Sequence, residues 1–474
     1  VVSPCRGLRN LLTVLLAVGA GACAPPESFD LVVEGGRVID PASGLDGVRH
    51  LGIREGRIAA VSSEPLDGAR TLDAEGLVVA PGFVDLHEHG QTEEAYRLMV
   101  RDGVTTALEL EVGTADVERW YRERAGGQLV NYGVSVGHIP VRMEVLGDPG
   151  EFLPAGVGGH GSVGPEELAE IEERIRRGLD RGAPAVGLGS AYTPGATMEE
   201  IRRVFAVAAE YGASAHIHMR GGVVGLDSTI VAARETGVPL HIVHVNSSAG
   251  DDLEAFLERI RTAREAGQEV TTEAYPYGAG MTRIESALFD DWETWPDTAF
   301  QRYQWVATGE RLTRERFARA REEGGGVIIH SRTEDQTRRA VASPLTMIAS
   351  DGFIEEGQGH PRTSGSYSKV LGRYVREEGA LTLMEALEKM TIRPARRLES
   401  RVPEMVRKGR IEEGADADLV LFDPDEVIDR STYTDATIPP AGIPYVIVGG
   451  AVVVEGGEVV EGVRPGTPVR APTR

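Results

Sequence analysis

The chain has 474 residues, 41% hydrophobic and 26% charged, a globular balance long enough for a large α/β barrel with a small partner domain. Its 73 acidic residues outweigh 50 lysines and arginines, and the net charge of −23 excludes a protein that grips a nucleic-acid backbone by charge. Both cysteines, Cys5 and Cys23, fall in the first 23 residues, so no disulfide framework braces the rest.

The segment RGLRNLLTVLLAVGAGACAPP has a basic start, an apolar run from Leu11 to about Ala20 and small residues before Cys23. That pattern predicts a secretory signal over residues 1–23, too short for a stable membrane span. Ending AGAC, it resembles a bacterial lipoprotein signal, in which Cys23 carries the lipid. The resemblance implies export to the periplasm or anchoring at a membrane; plain secretion is the alternative.

From about residue 28 to 80 come short β-rich runs, DLVVEGGRVIDPASG, HLGIREGRIAAVSS and RTLDAEGLVVAPG, separated by Gly, Pro, Asp and Ser turns. The same texture returns over 405–474 in GRIEEGADADLVLFD and IPYVIVGGAVVVEGGEVV. Two β-rich flanks around a different middle predict one small β-sandwich built from both ends of the chain. Between them, over 81–404, apolar β-type runs (VTTALELEV, APAVGLGSAY, ASAHIHM, PLHIVHV, EVTTEAYPY, GGVIIHS, LTMIASD) alternate with helical stretches such as GPEELAEIEERIRRGLDRG and TMEEIRRVFAVAAEYG. Strand and helix alternating at this spacing predict a parallel sheet closed as a (β/α)8 TIM-like barrel, with its chemistry at the C-terminal strand ends. Residues 280–320, rich in Trp, Phe and charge, interrupt the alternation and read as an inserted segment, either a lid or a packing unit.

The strand ends carry the unusual residues. PGFVDLHEHG closes an apolar run with His87 and His89, two positions apart and so on one side of a strand. Neutral imidazole is a common ligand of zinc-like ions, although two histidines can also simply close a strand. The next strand, TTALELEVG, puts Glu109 and Glu111 on one face and Leu108 and Leu110 on the other. SAHIHMRGG ends in His216, His218 and Arg220; PLHIVHVNSS carries His241 and His244; TMIASDG ends the last barrel strand in Asp351.

These residues together resemble the amidohydrolase superfamily, in its N-acyl-D-amino-acid deacylase (D-aminoacylase) branch. The matching text runs from about residue 29 to 470: PGFVDLHEHG, DGVTTALELEVG, GHIPVRMEVLG, GLGSAYTPGATMEEI, HIHMRGG, GVPLHIVHVN, EAYPYGAGMT, PLTMIASDG, HPRTSGSYSKVLGRYV and GADADLVLFDP. The resemblance implies a distorted barrel with a β-sandwich, one or two zinc ions and hydrolysis of an amide. Carried over by position, His87 and His89 would bind the more buried metal and His218 and His244 the other. Asp351 would be both ligand and proton shuttle.

The departures are specific. Many superfamily members bridge two metals with a carboxylated lysine, but the only lysines here are Lys369, Lys389 and Lys408, all beyond the upstream barrel strands. The deacylase branch uses a cysteine near the end of strand two, where this chain reads LELEVG. A bridging carboxylate is the natural substitute, Glu111 or Glu109, with a single-metal site if neither bridges. Two residues after His244, where these deacylases usually carry lysine, stands Asn246, a neutral amide in place of a cation. Arg220 and Arg142 could each hold a carboxylate through parallel hydrogen bonds, or serve as ordinary ion pairs. Tyr192 and Tyr275 sit at strand ends where a phenol could polarise a substrate carbonyl; core packing is the alternative. The expected substrate is a small carboxylate-bearing amide, an N-acyl-D-amino acid or a dipeptide with an unusual C-terminal residue. A dihydroorotase-like cyclic amidase and a metal-free binding protein are the competing expectations.

Overall fold

A computed structural model describes residues 1–3 and 28–474. The leader expected over 1–23 therefore lies, from residue 4 onward, outside the described residues, Cys5 and Cys23 included. No helix among the described residues is long and apolar enough to cross a membrane.

Eight parallel strands form the central sheet, in chain order Phe83–Asp85, Val104–Thr114, Asn131–Gly137, Ala185–Gly189, Ser214–His218, Leu240–Ile242, Val270–Ala274 and Thr346–Ile348. The ends of the first and eighth strands meet through backbone hydrogen bonds: Asp351 N–H donates to His87 O (2.7 Å) and His89 N–H to Gly352 O (2.8 Å). The Asp85 carboxylate adds to this seam, accepting from the backbone N–H groups of His87 (3.0 Å) and Ser350 (3.1 Å). The sheet is thus a distorted (β/α)8 barrel.

Helices cover its outside for reasons visible in the sequence. Met198–Glu210 starts at Thr197, whose hydroxyl accepts from Glu200 N–H, and it buries Ile201, Val204, Phe205 and Ala208 at helical spacing. Val84, Leu86, Leu108 and Leu110 share one buried cluster with Ala185 and Met347 of the fourth and eighth strands and with Ala395 and Leu398 of the helix Ile392–Leu398. Their neighbours in sequence, His87, His89, Glu109 and Glu111, are buried polar residues at these strand ends.

Two strand assignments differ from the sequence reading. Gly326–His330, within GGVIIHS, is not a barrel strand. It is the middle strand of a three-stranded antiparallel sheet with Ala279–Arg283 and Tyr303–Trp305. Its apolar residues serve a separate small core of Ile284, Phe289, Phe300, Tyr303, Trp305 and Phe317, so the inserted unit spans residues 279–330, between the seventh and eighth barrel strands. The third barrel strand is NYGVSVG, Asn131–Gly137, which is not among the β-type runs read from the sequence. Its glycines dilute the apolar signal for a steric reason: a Cβ at Gly133 would lie 2.7 Å from the Val469 carbonyl.

The flanks join in one nine-stranded sheet. Leu419–Phe422 from the second flank pairs antiparallel with Val78–Pro81 from the first, and Leu31–Asp40, Leu45–Arg54 and Arg57–Ser62 continue from there. Buried Lys408 pairs with Asp416 (3.0 Å) and Asp418 (2.8 Å), and Asn131 Nδ2 donates to Asp418 (2.9 Å), tying this sheet to the third barrel strand.

Candidate metal centre and its cavity

The four histidines and two acids drawn from five strand ends converge at the barrel mouth. His87 Nε2 lies 2.7 Å from Glu111 Oε2 and 3.5 Å from Asp351 Oδ1. His89 Nε2 lies 3.5 Å and 3.3 Å from the same two oxygens. On the other side of Glu111, Oε1 is 3.2 Å from His218 Nδ1, which is 3.1 Å from His244 Nε2. Two compact donor groups result: His87, His89, Glu111 and Asp351; and Glu111, His218 and His244. Glu111 belongs to both, with one oxygen turned to each.

The donor chemistry of the first group fits a cation. His87 Nδ1 is 2.6 Å from Glu273 Oε1, and His89 Nδ1 is 2.5 Å from Glu109 Oε2. Carboxylates accept only, so both rings carry their neutral-state proton on Nδ1, and both Nε2 lone pairs face inward. Those nitrogens are 3.1 Å apart with Glu111 beside them. This is a cluster of acceptors with no donor, the arrangement a divalent ion satisfies. In the second group, burial and the neighbouring His218 push His244 down to about 3, so its imidazole is neutral and able to ligate.

Glu109, put forward beside Glu111 as a bridging carboxylate, stands outside both donor groups. Its Oε2 is taken by His89, and its Oε1 accepts the backbone N–H groups of Glu111 (3.1 Å) and Val112 (3.0 Å). Its place is to aim His89 and to hold the backbone that presents Glu111. Glu273 does the same for His87 from the seventh strand, its second oxygen 2.9 Å from His241 Nε2. Burial works against its charge, yet His87 and His241 bring the Glu273 carboxyl down to about 2. Replacing Glu273 with Gln removes an anionic acceptor without changing shape. Metal affinity, read by chelator competition, is expected to fall by about 10–100-fold.

In the metal-free protein burial disfavours a charged imidazole, but Asp351 and Glu273 raise His87, and Glu109 raises His89, well above the ordinary histidine value. Protons therefore compete with the ion. Below the raised values each ring gives up a proton on binding, so affinity is expected to fall about tenfold per pH unit for each proton released. Competition titrations across pH read that slope directly; a flat profile would contradict it.

Above the donors lies a cavity of about 240 Å³. Its lining includes the cations Arg283, Arg332 and Arg362 and the apolar side chains of Val112, Phe152, Leu153, Leu288 and Phe353. Asp351 is held from behind: Arg362 Nη1 lies 2.8 Å from its Oδ2. Burial opposes ionisation, but Arg362 and His87 keep the Asp351 carboxyl well below the usual range. Asp351 (φ 51°) and His244 (φ 32°) both have left-handed backbone, sparsely populated for non-glycine residues and enforced here by the packed strand ends.

Three residues proposed from sequence as substrate contacts do not line the cavity. Arg142 is fully buried in a bidentate pair with Glu200 (2.6 and 2.8 Å) and also donates to Gly158 O. Arg220 spends its donors on the carbonyls of Thr193, Pro194 and Ala196. Asn246 Nδ2 donates to Tyr275 O (3.0 Å). Each satisfies backbone or a buried acid, a partner that spacing along the chain does not reveal. Tyr192 and Tyr275 do line the cavity. Arg332, Arg362 and Glu273 were not singled out, although Arg362 stands in HPRTSG and Glu273 in EAYPY. For Glu273 the available signal was an acid inside a short β-type run, VTTEA.

Residues 78–453 match the amidohydrolase family profile. The chain is 32% identical to an N-acyl-D-glutamate deacylase of Alcaligenes xylosoxydans xylosoxydans, over 90% of this chain and 94% of that one. It is 31% identical to a D-aminoacylase of the same organism, with the same shares covered. Among solved structures it resembles the N-acyl-D-glutamate deacylase of Bordetella bronchiseptica, complexed with zinc and a phosphonate mimic of the tetrahedral intermediate. The TM-score is 0.81 at 27% identity, covering 94% of this chain and 100% of the other.

Proposed function

The chain belongs to the amidohydrolase family, and on that premise we propose that it is a zinc-dependent hydrolase of linear amides adjoining a carboxylate, N-acyl-D-amino acids first and dipeptides second. The observation that carries the reading is Glu111 shared between two donor groups on the floor of a cavity that also holds Asp351. His87, His89, Glu111 and Asp351 would hold one ion, and Glu111, His218 and His244 the other. A divalent cation so held lowers the pKa of water to about 7 and polarises an amide carbonyl.

The side chains divide the remaining work. Asp351 accepts the proton of the attacking water at Oδ1 and returns it to the departing nitrogen, while Arg362 fixes Oδ2. Its lowered pKa keeps it ready as a base. Tyr192 Oη accepts from Thr282 (3.2 Å), which leaves its own proton free to meet a substrate carbonyl oxygen. Burial, reinforced by Glu111, pushes that phenol upward, so it stays a donor. The apolar lining residues exclude water from an acyl group or side chain seated on them, and the arginines suit a carboxylate.

The test is a stereochemically paired set of N-acyl amino acids and dipeptides, with a hydantoin and dihydroorotate included, assayed on zinc-loaded protein. Cleavage of N-acyl-D-amino acids ahead of their L-forms and of both rings is expected; preference for a ring would overturn the reading. The leader-like segment, with the candidate lipid site Cys23, supports a substrate met outside the cytoplasm. Cell fractionation of the wild type and of Cys23→Ser tests that placement.

A further inference from the structure

Arg332 differs from the other cations of the cavity. Arg362 is paired with Asp351 (2.8 Å), and Arg283 with Glu285 (3.0 Å) and Glu355 (3.4 Å). Every partner described for Arg332 is neutral. Its Nη2 donates to Tyr275 Oη (2.7 Å) and reaches Tyr277 O (3.5 Å), and its Nη1 reaches Ser247 Oγ (3.4 Å) and Ser331 Oγ (3.3 Å). Its guanidinium lies over the Tyr275 ring, 5.1 Å from the centroid. Its Nε is buried and makes no hydrogen bond among the described residues. A guanidinium that lines a cavity with an orphaned donor and no anion is a charge awaiting one.

Tyr275 completes the arrangement. Because Oη accepts from Arg332, its own hydrogen is free to donate into the cavity. Gly280 keeps that oxygen reachable, since a Cβ there would sit 2.9 Å from it. Gly280 lies on the edge strand of the inserted unit, and Arg332 stands two residues past the end of its middle strand, where its backbone N–H donates to Gly278 O (3.0 Å). Asn246, on the barrel side, is neutral and turned to the Tyr275 carbonyl.

We propose that Arg332, with the Tyr275 hydroxyl, is the specificity-determining site for the substrate carboxylate, so that the segment leaving the inserted sheet rather than a barrel strand supplies the cation that reads it. This deepens the amide-hydrolase reading and rests on it for the identity of the substrate, but binding tests it separately from turnover.

The probes are N-acetyl-D-leucine and its primary amide, N-acetyl-D-leucinamide, which differ in the carboxylate alone. Calorimetry on zinc-loaded wild type, Arg332→Met and Arg332→Lys reads binding under conditions of slow turnover, and steady-state assays read KM and kcat. The wild type is expected to bind the acid on the order of 100-fold more tightly than the amide, the range of a charged hydrogen-bonded pair. Arg332→Met abolishes that preference, raising KM for the acid with little change in kcat and leaving the amide as in wild type. Arg332→Lys, which keeps the charge without the fork, retains part of the preference and guards against a folding defect in the Met variant. Equal losses for acid and amide, or a wild type indifferent to the carboxylate, would overturn the proposal. If the wild type binds the acid through Arg332 and hydrolyses no amide, the assignment of Arg332 stands and the reading of the reaction falls.

Discussion

Asp351→Asn is expected to lower kcat by ~10³-fold or more, within the range of positioned acid–base groups, while zinc content stays near that of wild type. Asn keeps the size of the side chain and tolerates the left-handed backbone at this position, φ 51°, better than Ala would. His87, His89 and Glu111 remain to hold the ion. What is lost is the ability to take a proton at Oδ1 and return it. Turnover by the most rapidly cleaved N-acyl amino acid, alongside elemental analysis of the same sample, separates the two effects. Unchanged turnover would remove Asp351 from the mechanism, and loss of zinc in proportion to activity would make it a ligand only.

Glu111→Ala carries the second large effect. Burial opposes a charge on Glu111, but His218, His87 and His89 hold its carboxyl well below the usual range, so it is an anion in the folded protein. Its removal cuts the second group from three donors to two and the first from four to three. Bound zinc is expected to drop below one ion per chain under dialysis, with turnover lost, a larger change than the 10–100-fold loss of affinity typical of an outer partner. Glu109→Gln is the contrast: it keeps Glu111 and both donor groups, and weakens binding by loosening His89 and the backbone that presents Glu111. Elemental analysis of both variants after identical dialysis checks the ranking. If Glu109→Gln released more zinc than Glu111→Ala, the roles of the two glutamates would be reversed.

What was legible in the sequence follows from which forces are local. His87 and His89 could be read because a strand repeats every two residues, and polar groups at the end of a buried strand demand an explanation. The same rule put Glu109 and Glu111 on one face but could not rank them. The ranking depends on His89 Nδ1 capturing Glu109 at 2.5 Å and on an irregular register between Glu109 and Thr114, both products of tertiary packing. Arg142 and Arg220 looked available because Glu200 and the 193–196 carbonyls are far away in the chain or hidden in a turn. GGVIIHS read as a barrel strand because a β-type run looks the same whether it joins the barrel or an inserted sheet. Arg332 went unnoticed at its end for that reason. NYGVSVG, with its close backbone approach at Gly133, carries glycines where an apolar run would have side chains, and the sequence reading does not include it.

The central claim, that one glutamate joins two metal positions at the barrel mouth, is tested most directly by a crystal structure of zinc-loaded protein with anomalous scattering recorded at the zinc edge. The account predicts two peaks, one bounded by His87, His89 and Asp351, the other by His218 and His244, with the Glu111 carboxylate between them. A density map with Glu111 turned away from the metal, or with Glu109 spanning the peaks in its place, would contradict it.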